Sequence, residues 1–480
     1  MSASVLIYSI LAWFALGAFL SWRAKKKQAE SMAEYFIGNR SIGGFLSSMT
    51  YSATTYSAFM MVGLVGITYK TGITSLGFEL SYLIGTIFLL MIFAPRYWSA
   101  GKLYSVVTPS EMFSVRYESP KVGAAAAFLC LIMLIPYASV QLMGTGYLLE
   151  TLSNGAISFT TATIIIALMS FVFSWWAGIR SVALTDALQA SVMLIASAML
   201  AAFVAFVLLP DAGESIKTIN PNAMKVTWPF PMFLGLTLPW FFFAVTNPQV
   251  VQRLYIPKNK TSIRNMILGF SSFGFIYTLL CVFFGISASK LIPGISVADK
   301  AMPRLLSMVP YPLALIVTLS IIAAAVSTMN SIILTLSSMF GRDILKALNP
   351  NIPEEKELLL SKILIPIITG VCLLFAQYKL NMIAVLSSMA SGGLLMQLPA
   401  IWGTFFWRKA TAEGAFWSIV IGGLAVGSMY VTGMKPLGLW PPVWGIIISF
   451  AVFLALSLFT TPPSNADGFI DSLKEELEKF

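Results

Sequence analysis

The side chains with chemistry to offer in this sequence lie inside strongly apolar segments. The stretch SSMTYSATTYSAF, residues 47–59, sets five hydroxyl-bearing residues between Ser52 and Ser57. Isolated Ser or Thr residues in an apolar helix bond back to their own turn or to a neighbouring helix. A dense run competes with the backbone ladder and favours an unwound segment, and unwound backbone at membrane depth is tolerated only where it lines a cavity. A second such element is LSIIAAAVSTMNSIILTLSS, residues 319–338. Ser327 and Ser331 are four apart and share a helix face, with Thr328 beside them. Hydroxyl and carbonyl oxygens without formal charge suit a weakly held monovalent cation, whereas Ca²⁺ or Mg²⁺ would want several carboxylates. The small residues Ala323, Ala324 and Ala325 suit close helix packing equally well, so these residues alone leave both readings open.

Two carboxylates sit in apolar runs. Asp186 lies in IRSVALTDALQ, and Glu79 lies in the outer part of the third apolar segment. A charge at such depth is costly unless paired or wet, which makes each a functional candidate. The alternatives are a helix N-terminal carboxylate satisfied by the macrodipole and Arg180 for Asp186, and exposure at the outer mouth for Glu79. In PWFFFAVTNPQVVQRLY, Pro248 removes a backbone donor and disfavours helix at Asn247. The sequence has no histidine, which removes the commonest general base and metal ligand. The three cysteines, Cys130, Cys281 and Cys372, read as buried apolar thiols with no disulfide or metal pattern. No nucleophile–base or metal set remains, and the chain is not read as an enzyme.

The elements that carry these residues follow from composition. The chain has 480 residues, 58% of them hydrophobic and 10% charged, with a mean hydropathy of +0.83. Soluble proteins carry about a quarter charged residues. The apolar runs approach or exceed the roughly 20 residues a helix needs to cross a bilayer, and the short alternating strands of a barrel are absent. The expected fold is all-α integral membrane with about thirteen transmembrane helices, near 4–22, 44–68, 74–95, 122–149, 159–178, 183–209, 230–250, 264–288, 309–340, 361–378, 382–404, 413–432 and 441–459, separated by short polar loops. The first is not a signal peptide, because its basic cluster (Arg23, Lys25, Lys26, Lys27) follows the apolar run.

Charge placement sets the expected orientation. With the N-terminus outside, about 22 of the 30 Lys and Arg residues fall on the cytoplasmic side, including Arg96 to Lys121 and Arg253 to Arg264. The formal charge of +10 then reflects topology and contact with the lipid bilayer, and no nucleic-acid partner is expected. Two interrupted helices, the second and the seventh, occupy corresponding places in the two halves, as in an inverted-repeat transporter. The chain divides into 1–43 (first helix and basic cytoplasmic loop), 44–209 (first five-helix repeat), 210–229 (extracellular loop), 230–406 (second five-helix repeat), 407–460 (two additional helices) and 461–480 (cytoplasmic tail).

At these residues the sequence resembles the sodium/solute symporter family, which includes proline, pantothenate and sugar transporters. EYFIGNRSIGGF (34–45) looks like the motif leading into the family's first core helix, and VALTDALQ (182–189) resembles its signature, with Ala177-Gly178 where two glycines are usual. NPQVVQR (247–253) and AAAVSTMNS (323–331) match its other diagnostic stretches. The resemblance implies a LeuT-type five-plus-five inverted repeat. It implies a sodium site on the carbonyls of Ala53, Tyr56 and Ala324 and the hydroxyls of Ser327 and Thr328. A possible second sodium site matches Asp186, Ser327, Asn330 and Ser331, with Asn330 standing where a hydroxyl residue is usual. Proline transporters of the family carry an aspartate at the position of Thr55. Their substrate-site aromatics are matched at Tyr137 and Trp240, while another falls on Ala244. Glu79 matches a glutamate that binds sugar hydroxyls in some relatives, and the accompanying polar position is Met60.

The resulting expectation is a multi-pass symporter of the cell (inner) membrane, with its C-terminus cytoplasmic, functional as a monomer. It would import a small organic solute with Na⁺, held by Ser52, Thr55, Ser57, Glu79, Tyr137 and Trp240. An amino acid or small carboxylate, proline- or pantothenate-like, is favoured. A sugar symporter of the same fold, proton coupling through Asp186 or Glu79, and a transporter-fold sensor are the alternatives. A channel would want a repeated ring-like filter, not two unlike interrupted helices.

Overall fold

The computed structural model describes residues 1–24, 31–211 and 221–480; Lys25, Lys26 and Lys27 of the basic cluster, and part of the expected 210–229 loop, lie outside them. Among the described residues ten helices are long and apolar enough to cross a membrane, and three shorter apolar helices, Phe59–Thr71, Phe159–Trp175 and Phe230–Phe241, accompany them. This all-helical arrangement is compatible with thirteen spans, numbered here in chain order as in the sequence.

Both expected interruptions are present. The second span is helical over Gly44–Thr55, leaves helical geometry at Tyr56 (φ −93°, ψ 95°), and resumes through a π-helical stretch, Phe59–Leu64, into Val65–Thr71. The seventh runs Phe230–Phe241, Phe243–Thr246 and Pro248–Val251, with extended backbone at Asn247 (φ −91°, ψ 111°) directly before Pro248. A further turn at Phe242 was not expected. The broken spans are tied together below their breaks by a short parallel bridge: Ile42 N donates to Ile256 O at 3.1 Å and Lys258 N to Ile42 O at 2.9 Å.

Elsewhere the expected boundaries shift. The fifth and sixth spans are not separated by a polar loop; they form one helical run, Phe159–Phe203, turned at Gly178 (φ 59°, ψ 176°). Only glycine adopts that conformation without strain, so one residue replaces the loop. The eleventh span, expected to be continuous, is divided by a 3₁₀ turn at Leu395–Gln397 between Ile383–Leu394 and Leu398–Phe406. The third extends to Leu103 and the tenth begins at Glu354, because polar flanks prolong both helices past their apolar cores.

Burial sorts the helices by depth in the molecule. In the ninth span (Tyr311–Leu348) 72% of the apolar window is buried by protein, against 11% in the first (Ala3–Arg23). The ninth lies in the interior, as does the eleventh (Ile383–Phe406, 89% buried), and packs against the second, fourth, fifth and sixth spans; the first lies outside and offers its apolar side chains to lipid. On the face carrying the 104–119 segment, Asp343 accepts from Thr108 Oγ1 (2.6 Å) and Ser110 Oγ (2.5 Å), and Arg342 pairs with Glu111 (2.8 Å) and Glu357 (3.4 Å). The tail helix, Ala466–Glu478, lies across the same face: Phe469 stacks on Tyr104 (ring centroids 4.9 Å apart), and Arg408 holds Asp467 and Asp471.

Candidate functional site

The break in the second span faces the middle of the ninth. Ser327 Oγ donates to Ala53 O at 3.0 Å and to Ala324 O at 3.0 Å, and Thr328 Oγ1 donates to Ala53 O at 3.1 Å and to Thr54 O at 3.2 Å. The structure therefore brings Ala53, Ala324, Ser327 and Thr328 into one knot of oxygens, all fully buried. Tyr56 stands at the break itself, three residues beyond Ala53. The Tyr56 ring leaves in another direction, stacking on Phe270 at 5.5 Å, and close approach of the eighth span needs a glycine there: a Cβ on Gly274 would sit 2.1 Å from Tyr56 Oη. A cluster of neutral carbonyl and hydroxyl oxygens, whose hydroxyl hydrogens can rotate away and present lone pairs, matches the chemistry of a singly charged, weakly held cation.

The residues of the possible second ion site are arranged differently. Asp186 accepts from Thr50 Oγ1 at 2.6 Å, and Ser331 Oγ lies 2.9 Å from Thr54 Oγ1, so both dock on one face of the second span. Asn330 turns away, accepting from Ser174 Oγ of the fifth span at 3.3 Å. Against Ser331 sits a residue the sequence reading counted among the cytoplasmic charges. Arg253 is fully buried, donates to Ser331 Oγ at 2.5 Å, and lies within coulombic reach of Asp186. Arg180, the partner considered for Asp186, is exposed and bonds Gly38 O at 3.3 Å instead. Asp186 is also eight residues beyond the turn at Gly178, too far to be an N-terminal carboxylate. The cue that could have found Arg253 is its place directly after NPQVVQ, five residues past Pro248 in an apolar span.

Glu79 is fully buried and does not face an outer mouth. Neither carboxylate oxygen has a hydrogen-bond partner, and its field reaches Tyr56, Tyr82, Tyr137 and Cys281. The hydroxyls of Ser52, Thr55 and Tyr82 are likewise buried without partners among the described residues, and Tyr137 faces Ser57. Such groups are uncommon in folded interiors, where buried polar atoms are nearly always bonded. Trp240 anchors the wall, its Nε1 donating to Ser388 Oγ at 2.7 Å while its ring stacks on Phe59 (4.7 Å) and Phe243 (5.1 Å), with Tyr82 (5.4 Å) and Tyr137 (6.2 Å) edge-on. Ser57 caps the resumed helix by accepting from Phe59 N at 3.1 Å, and Gln141, a residue the sequence reading passed over, accepts from Ala58 N at 3.1 Å. Ser388 and Gln141 carried no sequence signal, since single polar residues in a span are common.

Known proteins share both sequence and fold with this chain. It is 28% identical over 434 residues to the sodium/pantothenate symporter of Haemophilus influenzae, covering 85% of this chain and 86% of that one. It is 23% identical to the osmoregulated proline transporter of Bacillus subtilis, covering 99% of each. In fold it is similar to a sodium-coupled sialic acid symporter solved in a substrate-bound outward-open state, with a TM-score of 0.77 at 17% identity, covering 96% of this chain and 98% of that one. The profile of the Sodium:solute symporter family matches residues 35–422. Taken with the two interrupted spans and the oxygen knot between the second and ninth, the match places the chain in that family: it belongs to the Sodium:solute symporter family.

Proposed function

We propose that the protein is a secondary active symporter of the inner membrane, with its N-terminus outside, that imports a small organic solute with one sodium ion. The observation that carries this reading is the convergence of Ala53 O, Ala324 O, Ser327 Oγ and Thr328 Oγ1 at the break in the second span. With Tyr56 O, they form the ion site. Sodium there joins the broken second span to the ninth, so loading biases the equilibrium between conformations open to either side. The solute lies against the same break, among Ser52, Thr55, Ser57, Glu79, Tyr137 and Trp240. Its binding energy and that of the ion are linked through the segment both grip.

One ion, rather than two, follows from Arg253. Its guanidinium already supplies a positive charge bonded to Ser331 and near Asp186, and a second cation there would meet repulsion. The Glu79 carboxyl offers unpartnered acceptor oxygens at this wall, so a solute that brings donors suits it, such as the ammonium of an amino acid or the hydroxyl and amide groups of a pantothenate-like molecule. The sodium/pantothenate symporter relatives favour the latter.

The experiment is uptake into proteoliposomes under an imposed sodium gradient, an imposed proton gradient, or neither, with pantothenate, proline and a hexose as labelled solutes. Accumulation driven by sodium alone supports the reading. Accumulation driven by protons without sodium removes the ion assignment, and hexose uptake in place of the other two shifts the solute class.

A further inference from the structure

A cleft lies away from the residues proposed for ion and solute, between the lipid-facing sides of the third and eighth spans. The eighth span begins with Lys260 and carries Arg264, Ile267 and Leu268 one and two turns further on. Residues at i, i+4 and i+8 share a face, so this stripe is cationic for its first turn and apolar after that. The third span supplies the opposite wall with Met91 and Pro95, themselves four apart, and Phe480 closes the cationic end. Together they enclose a cleft of ≈ 430 Å³. Met91, Leu268 and Phe480 are 57%, 55% and 45% exposed, so the slot opens sideways towards lipid and not inward to the protein.

Among the described residues neither cation at its rim is ion-paired with a carboxylate. Lys260 Nζ donates to the Lys479 carbonyl and lies 5.0 Å from the centre of the Phe480 ring, both neutral partners. Glu476 is within coulombic reach of Lys260 but is bonded to Lys479 at 2.6 Å. Among the described residues no carboxylate forms an ion pair with Arg264. Two cations above an apolar slot, at the boundary of the bilayer, complement a molecule with an anionic head and a hydrocarbon tail. Basic pockets between membrane helices hold anionic lipid head groups in this way.

We propose that this cleft binds one anionic phospholipid, its phosphate between Lys260 and Arg264 and an acyl chain along Met91, Pro95, Ile267 and Leu268. Because Lys260 also holds the end of the tail helix, an occupied cleft braces the tail against the third and eighth spans. The site is independent of the transported solute and of the ion.

The test uses the full-length protein in detergent, titrated with phosphatidylglycerol, phosphatidylcholine or inorganic phosphate, and read by native mass spectrometry and by thermal unfolding. The expected result is retention of one phosphatidylglycerol and a raised unfolding temperature, with little response to the other two. Lys260→Gln and Arg264→Gln should each weaken retention about fivefold, the share of one cation facing an anionic lipid, while Lys121→Gln, on a different surface, leaves it unchanged. Leu268→Trp fills the chain slot without touching charge and should reduce retention on its own, which keeps the test decisive if the charge variants fold poorly. Equal binding of the two lipids, or retention unaltered by all three cleft variants, overturns the proposal. Stabilisation by inorganic phosphate equal to that by phosphatidylglycerol overturns the lipid and leaves only an anion.

Discussion

Arg253 of the seventh span donates to Ser331 Oγ of the ninth at 2.5 Å, and Ser331 in turn meets Thr54 of the second span at 2.9 Å. With Asp186 held by Thr50 one turn away, this places a buried cation and a buried anion at the junction of four spans, just below the oxygen knot of the candidate ion site.

Removing one of two opposite buried charges that are not in direct contact takes away the field that offsets the other. Arg253→Ala should destabilise the protein by about 1.5–3 kcal/mol, the loss of its charge-assisted bond to Ser331, lowering its unfolding temperature and its yield in membranes. Adding Asp186→Asn to that variant should recover part of the loss, because no uncompensated charge remains. Thermal unfolding of the two single variants and the double variant gives the coupling directly; additive losses would show that the two residues act separately.

The hydroxyl of Ser327 contributes one oxygen of the proposed ion shell. Ser327→Ala should leave folding nearly unchanged, since Thr328 still bonds Ala53 O. It should raise the sodium concentration for half-maximal uptake about tenfold, the equivalent of about 1.4 kcal/mol. The check is a sodium titration of initial uptake rates at fixed solute. A change confined to solute affinity would place Ser327 in the solute pocket instead.

Glu79 has two buried oxygens and no hydrogen-bond partner among the described residues. Glu79→Gln removes the ionisable group at nearly constant shape, so the solute-free protein should unfold at a temperature no lower than the native one. The same change should lower solute-driven uptake at least about tenfold, by loss of a charge-assisted bond of roughly 1.5–3 kcal/mol. Stability and uptake moving together, in either direction, would argue that Glu79 is structural.

Asp299, in the segment before the ninth span, caps the eleventh: its Oδ2 accepts from Ile383 N at 3.0 Å. Burial pushes its carboxyl up to about 7, with the Ile383 bond pulling the other way. The unfolded chain ionises near the usual 3.9, so between about pH 4 and pH 7 the unfolded state has lost a proton that the folded state keeps. Stability from this group is complete below that window and falls as pH rises through it. Asp299→Asn, which can still accept from Ile383 N, should match the native unfolding temperature at pH 4 and exceed it at pH 8. A constant difference across that range would contradict the assignment.

What the sequence made legible follows from where its signals are dense. Five hydroxyl-bearing residues in six positions announced the break at Tyr56, and Pro248 announced the extended Asn247, because both act on the backbone locally. Ser327 and Thr328 were legible as a hydroxyl pair, but only the structure shows them meeting Ala53 O across more than 270 residues of chain. Arg253 was misread because a cation at the end of an apolar span usually marks the polar side of the membrane; its inward direction depends on the turn geometry after Pro248. The burial of Glu79 was open for a related reason, since depth along a span does not say which way a side chain faces. The turn at Gly178 was hidden because a single glycine with positive φ needs no polar loop around it.

The central claim is that sodium binds at the break in the second span, and equilibrium binding of radiolabelled sodium to the purified protein tests it most directly. The account predicts saturable binding of one ion per chain, abolished in the Ser327→Ala, Thr328→Ala double variant and kept in Glu79→Gln, with all three proteins unfolding cooperatively. Sodium binding that survives intact in the double variant would contradict it.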